Sequence, residues 1–67
     1  MSDYFNMSMR KFLKTVGVTS QQQIEEAVRT AKTAGTLPPG PIKARMVLTL
    51  EGLDFEHVID GEIASDT

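Results

Sequence analysis

Residues 42–63, IKARMVLTLEGLDFEHVIDGEI, contain two stretches in which apolar and polar side chains alternate on either side of a glycine-containing turn. Alternation with a period of two residues places the apolar side chains on one face of a strand. We expect strands over residues 42–50 and 55–63, joined by a turn at Glu51-Gly52-Leu53-Asp54. The segment therefore predicts an antiparallel β-hairpin.

Pairing of Leu50 with Phe55 across the turn would fix the register, and opposing residues would then have numbers that sum to 105. A slip by one residue would place the cations of the first strand among apolar groups and invert every side chain, so the register is well specified. The expected pairs on one face are Lys43 with Glu62, Arg45 with Asp60 and Val47 with Val58, and those on the other face are Met46 with Ile59 and Leu48 with His57.

Residues 55–59 have a helical alternative, because Phe55, Val58 and Ile59 also match the spacing of a helix. The short length of this segment and the glycine at position 61 argue against a helix. The complementary cross-strand pairs favour the strand.

The segment before the hairpin, residues 37–41, has the sequence Leu-Pro-Pro-Gly-Pro. Proline lacks an amide hydrogen and restricts the residue before it, so no helix can continue here. We interpret the segment as a stiff connector, with a proline-rich interaction motif as the alternative.

A first amphipathic helix is expected over residues 4–16, with Gly17 as its left-handed C-cap and Ser2 or Asp3 at its start. Its cations would lie in its second half, where the helix dipole favours positive charge. The apolar residues of this helix are Phe5, Met9, Phe12, Leu13 and Val16, and its cations are Arg10, Lys11 and Lys14.

A second amphipathic helix is expected over residues 20–34. Thr19 or Ser20, each followed three residues later by a glutamine, predicts a capping box at its start, and Gly35 predicts its end. Glu25 precedes Arg29 by four residues, a spacing that permits an ion pair. The apolar residues of this helix are Ile24, Ala27, Val28, Ala31 and Ala34.

Taken together, these elements predict a two-layer α+β domain in which two helices cover one face of the hairpin. The whole chain, residues 1–67, is expected to be a single domain. Residues 64–67 are small and polar, and we expect them to be a disordered tail.

The composition excludes several classes of function. The chain has 67 residues, no cysteine, and a net charge of −2 from seven Lys and Arg against nine Asp and Glu. Disulfides, thiol nucleophiles and iron–sulfur ligation are therefore excluded. The net charge gives no overall attraction to nucleic acid or anionic lipid. Because neither a membrane-spanning run nor a signal peptide is present, we expect a cytoplasmic protein without membrane contact.

The sequence points to no catalytic, cofactor-binding or metal-binding residue. His57 is the one side chain that titrates near neutrality when unperturbed, but the strand pattern places Glu56 and Asp60 on the opposite face. We expect His57 to be a structural residue, hydrogen-bonded to a neighbour, that binds no zinc. An enzyme that uses His57 is the weaker alternative. The spacing of the acidic residues does not match a calcium loop.

Residues 12–20, FLKTVGVTS, are similar to a helix-turn-helix junction, and a hairpin after two helices is similar to a winged-helix domain. A nucleic-acid-binding regulator is therefore an alternative function. The mixed charges of the second helix and the missing third helix argue against it.

Residues 5–20, FNMSMRKFLKTVGVTS, together with Glu56-His57-Val58, resemble a family of short uncharacterised bacterial proteins, a domain of unknown function. The resemblance implies a compact bacterial protein and supplies no activity, cofactor or site residue. We expect a small non-enzymatic interaction or accessory protein that binds another protein. A two-stranded ribbon leaves unpaired edges, so we also expect a homodimer formed through the hairpin, either edge to edge or through Val47 and Val58.

Overall fold

The chain is α+β, with one α-helix followed by a two-stranded antiparallel hairpin. A computed structural model describes residues 1–64. The elements are α1, Asp3–Ala34, then β1, Ile42–Thr49, and β2, Glu56–Ile63. The chain divides into two compact units, Met1–Leu37 and Pro38–Thr67. The predictions of a single domain and of a helical layer over the hairpin stay predictions.

Local sequence signals set both ends of α1. The Ser2 hydroxyl accepts a hydrogen bond from the amide of Phe5 at 3.2 Å, as expected of an N-cap. At the other end Gly35 adopts φ 74°, in the left-handed region that favours glycine. Its amide donates to the carbonyl of Lys32, and the amide of Thr36 donates to that of Ala31. This pair of bonds is a Schellman motif, which confirms the predicted end of the helix.

The prediction of two helices, over residues 4–16 and 20–34, is wrong. Residues 3–34 form one helix of 32 residues, about 48 Å long at 1.5 Å per residue. Gly17 lies inside the helix and is not among the glycines with positive φ, so it is not a C-cap. The Thr19 hydroxyl donates to the carbonyl of Thr15 at 2.8 Å instead of capping a new helix. The hydroxyl of Thr15 does the same to Lys11 at 3.1 Å. Hydroxyls that bond back by four residues are compatible with a helix interior.

The apolar pattern explains why the helix continues. The apolar stripes of the two predicted helices lie on the same face of one continuous helix. Their members follow one another at spacings of three or four residues, and Ser20 joins the two series without a break. From the first member to the last the average step is about 3.6 residues, the period of a straight helix. This stripe, called here the helix stripe, consists of Phe5, Met9, Phe12, Val16, Ser20, Ile24, Ala27, Ala31 and Ala34.

The single helix changes the environment of its cations. Arg10, Lys11 and Lys14 lie in the N-terminal half of α1, where the helix dipole does not favour positive charge. The dipole explanation for these residues is therefore wrong. The predicted ion pair between Glu25 and Arg29 is also not formed, since the one salt bridge within residues 1–64 lies in the hairpin.

The predicted hairpin and its register are confirmed. β1 pairs with β2 from Ile42 opposite Ile63 to Thr49 opposite Glu56, so opposing numbers sum to 105 throughout. In the turn the amide of Leu53 donates to the carbonyl of Leu50, and Gly52 adopts φ 82°, as the third residue of a type II turn requires. The helical alternative for residues 55–59 is wrong, because strand β2 covers most of them.

The connector between the units has neither helical nor strand structure over residues 37–41, as predicted. The tail prediction for residues 64–67 falls mostly on residues 65–67, which lie outside the described residues.

Neither unit has a buried core within the part of the chain that the structure describes. The most protected side chains are half-buried. On the helix they include Val16, Ser20, Val28 and Ala31, and on the hairpin they are Ile42, Ala44, Leu48 and Ile63. Each unit therefore presents its apolar residues at the surface.

Candidate interaction surfaces

His57 lies in β2 directly opposite Leu48, on the hairpin face that also carries Met46 and Ile59. The residue is exposed. No hydrogen bond joins its side chain to any other described residue, so the expected hydrogen-bonded neighbour is not found. An acid–base role requires a second polar group beside the imidazole, and the cross-strand neighbours are apolar.

The acidic residues of the hairpin lie in the turn, at Glu51 and Asp54, and along β2, and they do not converge. Within residues 1–64 no three side chains of His, Asp or Glu come together in a way that could hold a metal ion. The carboxylate of Asp60 already forms an ion pair, since its Oδ1 accepts a hydrogen bond from Nε of Arg45 at 2.8 Å. The two side chains are 69% and 64% exposed, so solvent weakens this ion pair.

The face of the hairpin that carries the ion pair also has an apolar centre. Val47 lies opposite Val58, and Lys43 lies opposite Glu62, as predicted from the register. Val47 is 52% exposed and Val58 is 41% exposed. β1 contributes two cations to this face and β2 three carboxylates, including Glu56 opposite Thr49, so charges of both signs surround the apolar pair.

Apart from His57, the opposite face of the hairpin is apolar. It carries exposed Met46 and Ile59 at its centre, and Leu50 and Phe55, just outside the two strands, are exposed as well. Because a two-stranded sheet has no third strand, each strand also has an outer edge without a strand neighbour among the described residues.

The helix stripe is the longest apolar surface of the chain. Its N-terminal half carries the large side chains Phe5, Met9 and Phe12, all exposed. Its C-terminal half carries Ala27 and Ala31, whose side chains are small. Sequence reasoning divided this surface in two because Gly17 and the capping pattern masked its continuity.

Two surface hollows formed by residues within the described range 1–64 lie away from His57. One lies beside Lys43, Ala44 and Asp60 on the hairpin, and another follows the C-terminal half of α1. His57 lines neither of them. Over residues 1–64 no helix combines the length and the apolar character that crossing a bilayer requires.

Comparison with known proteins shows a family and no function. No curated protein and no solved structure matches this chain. A family model does match, over residues 1–66, which is almost the whole sequence. The resemblance expected from residues 5–20 and 56–58 is thereby confirmed, and the chain belongs to the Family of unknown function (DUF6494).

Proposed function

We propose that this chain is a small non-enzymatic interaction protein of the bacterial cytoplasm that binds proteins and associates with itself. The observation that carries the proposal is the absence of a buried side chain within residues 1–64, together with apolar surfaces on the helix and on both faces of the hairpin. Exposed apolar patches of this kind mark surfaces that bind proteins.

The hairpin is the proposed surface of the homodimer. A two-stranded hairpin is marginally stable by itself. Pairing with a second copy provides hydrogen-bond partners for the free backbone groups of an edge strand, or covers an apolar face. Full burial of a valine side chain contributes about 1.5–3 kcal/mol of favourable free energy. Burial of Val47 and Val58 in each copy would therefore contribute several kcal/mol, which the loss of translational and rotational freedom on association partly offsets.

Two alternatives have less support. The helix-turn-helix alternative depends on a turn at Gly17, and α1 passes through this position without one. The enzyme alternative depends on a polar companion for His57, whose opposing residue is Leu48. Protein binding needs neither feature.

Self-association is tested by sedimentation equilibrium over a range of protein concentrations, together with thermal unfolding. We expect the average mass and the melting temperature to rise with concentration, because a contact made only in the folded state stabilises that state by mass action. The double variant Val47→Thr/Val58→Thr keeps side-chain shape and strand propensity, and we expect it to weaken the hairpin contact.

The matched control is Val18→Thr, the same change at an exposed helical valine outside the helix stripe. It should leave hairpin-mediated association unchanged. A monomer mass up to millimolar concentration would contradict the proposed homodimer. Equal association by the double variant and the parent chain would contradict the use of the Val47–Val58 face, and protection of edge amides from hydrogen exchange would then point to edge pairing.

A further inference from the structure

The N-terminal half of α1 combines large apolar side chains with charge of a single sign. Residues 4–24 carry three of the seven Lys and Arg of the chain and none of its nine Asp and Glu. By contrast, residues 25–67 carry four Lys and Arg against eight Asp and Glu. A charge asymmetry of this kind between two parts of a chain is typical of binding to a nucleic acid or to a membrane surface.

The large apolar side chains of the stripe in this half, together with Leu13, lie on one face of the helix. At about 100° per residue they cover a sector of about 100°, the width of the apolar face of a surface helix. This set, called here the N-terminal apolar face, consists of Phe5, Met9, Phe12, Leu13 and Val16. All of its members except Val16 are exposed, Phe12 to 53% and Leu13 to 49%. The N-terminal apolar face is therefore open to solvent.

The cations of this half lie on the other side of the helix. Arg10, Lys11 and Lys14 are each more than about 110° around the helix axis from the centre of the N-terminal apolar face. In the part of the chain that the structure describes, no salt bridge involves them, and the helix dipole does not account for them. A helix with Phe and Leu on one face and Lys and Arg on the other is the type that lies flat at a membrane surface.

Cations on the far side of such a helix still attract an anionic surface. An interfacial helix sinks its apolar face about 5–10 Å into the boundary between headgroups and acyl chains. Because a helix with its side chains is about 10–12 Å across, its polar side then lies close to the level of the phosphates. This separation is within the Debye length of about 8 Å at physiological ionic strength. The apolar stems of Lys and Arg also let their charged ends bend toward the phosphates.

The two properties that such binding needs coincide in residues 4–18. Insertion into lipid needs large apolar side chains, and attraction to an anionic surface needs cations without neighbouring carboxylates. The C-terminal half of α1 has neither property, because its part of the helix stripe is mostly alanine, and Glu25 and Glu26 offset its two cations. A nucleic acid would need the cations without the apolar face, and a protein groove would need the apolar face without the cations.

From this coincidence we infer that residues 4–18 of α1 bind the surface of a bilayer that contains anionic phospholipid, with the helix axis parallel to that surface. The N-terminal apolar face enters the lipid, the three cations stay at the level of the headgroups, and Val18 faces water. The expected absence of membrane contact rested on the net charge of the whole chain and on the lack of a spanning run, and neither describes a helix that lies on a surface. This contact is additional to the proposed homodimer and does not depend on it.

The first test is binding of the full chain to vesicles, measured by flotation. Vesicles of equal parts phosphatidylglycerol and phosphatidylcholine should bind at least tenfold more strongly than vesicles of phosphatidylcholine alone. Each cation near an anionic surface strengthens binding about fivefold, so Arg10→Glu/Lys11→Glu should weaken it by at least about 25-fold. The matched control, Arg29→Glu/Lys32→Glu, makes the same charge change in the C-terminal half and should weaken binding less than fivefold. Far-UV circular dichroism checks that α1 is intact in each variant.

The second test identifies the face that enters the lipid. The sequence has no tryptophan, so Phe12→Trp on the N-terminal apolar face and Val18→Trp on the opposite side each introduce one fluorescent reporter. On the anionic vesicles the emission at position 12 should shift to shorter wavelength and be quenched by brominated acyl chains. The emission at position 18 should keep the wavelength of a tryptophan in water and be quenched several-fold less.

Each arm has an outcome that would overturn the inference. Equal binding to the two kinds of vesicle, or equal weakening by the two charge variants, would overturn the role of the cations. Equal emission shifts at positions 12 and 18 would overturn the assigned face. A chain that self-associates but does not bind anionic vesicles at millimolar lipid would overturn the inference alone and assign the apolar face to a protein contact. A monomer that binds the vesicles would contradict only the homodimer.

Discussion

Single residues determine where α1 begins and ends, and two glycines of this segment differ in their roles. Gly35 adopts φ 74° and ends the helix, whereas Gly17 has a helical backbone. A Cβ atom added at Gly17 would meet nothing within 4 Å. The same residue type is therefore required at one position and only tolerated at the other.

This difference gives a prediction at the residue scale. Gly17→Ala should stabilise the chain by about 0.5–1 kcal/mol, since alanine is the better residue in a helix interior. Gly35→Ala, the matched control, should destabilise it by about 1–2 kcal/mol, because alanine is strained in the left-handed region. Urea unfolding followed by far-UV circular dichroism measures both. Destabilisation by Gly17→Ala would indicate a helix end at this position instead of a continuous α1.

At the scale of the element, the hairpin register depends on cross-strand pairs that are individually weak. Arg45 and Asp60 are paired at 2.8 Å but well exposed, while Lys43 and Glu62 are opposite each other without a salt bridge. Neither pair alone contributes much stability. The register is fixed because every pair and the turn at Gly52 agree with it.

A double-mutant cycle tests the register. The variants Arg45→Ala, Asp60→Ala and their combination should give a coupling free energy of about 0.2–1 kcal/mol that decreases at high salt. The matched cycle of Lys43 and Glu62 should give a smaller value. Stronger coupling of Arg45 with Glu62 than with Asp60 would reveal a register shifted by two residues, which keeps the faces but changes the pairs.

At the scale of the whole molecule, the charge balance and the single helix both argue against sequence-specific binding of duplex DNA. The net charge is −2, and α1 contains no turn at Gly17 that could begin a recognition helix. Arg10, Lys11 and Lys14 form a local cation cluster, but three cations release few counterions on binding phosphates.

The prediction at this scale is that the chain has no sequence-specific affinity for duplex DNA. Fluorescence anisotropy with pooled random duplexes near physiological salt should show no binding in the range of specific regulators, roughly 10⁻⁸ to 10⁻¹¹ M. Arg10→Glu/Lys11→Glu provides the control, since any weak residual binding through the cluster should vanish in this variant. Enrichment of one duplex sequence at submicromolar affinity would contradict the prediction.

The sequence by itself determined the hairpin, its turn and its pairing. These features depend on contacts between residues at most about twenty positions apart in the sequence, and on the alternation of apolar and polar side chains every second residue. Because of this alternation, only one register keeps the cations of β1 away from the apolar face. The two ends of α1 were also predictable, because Ser2 and Gly35 act through hydrogen bonds to nearby backbone groups.

Only the three-dimensional structure decided that residues 3–34 form one helix. Glycine is allowed both inside a helix and at its end, and a threonine hydroxyl can cap a new helix or bond back to the preceding turn, so the local signals at Gly17 and Thr19 fit either outcome. The unbroken backbone hydrogen bonds and the common phase of the apolar stripe outweigh a cost of about 1 kcal/mol for an internal glycine. That continuity joins two short apolar faces into one, and it places the cations in the N-terminal half of a single helix.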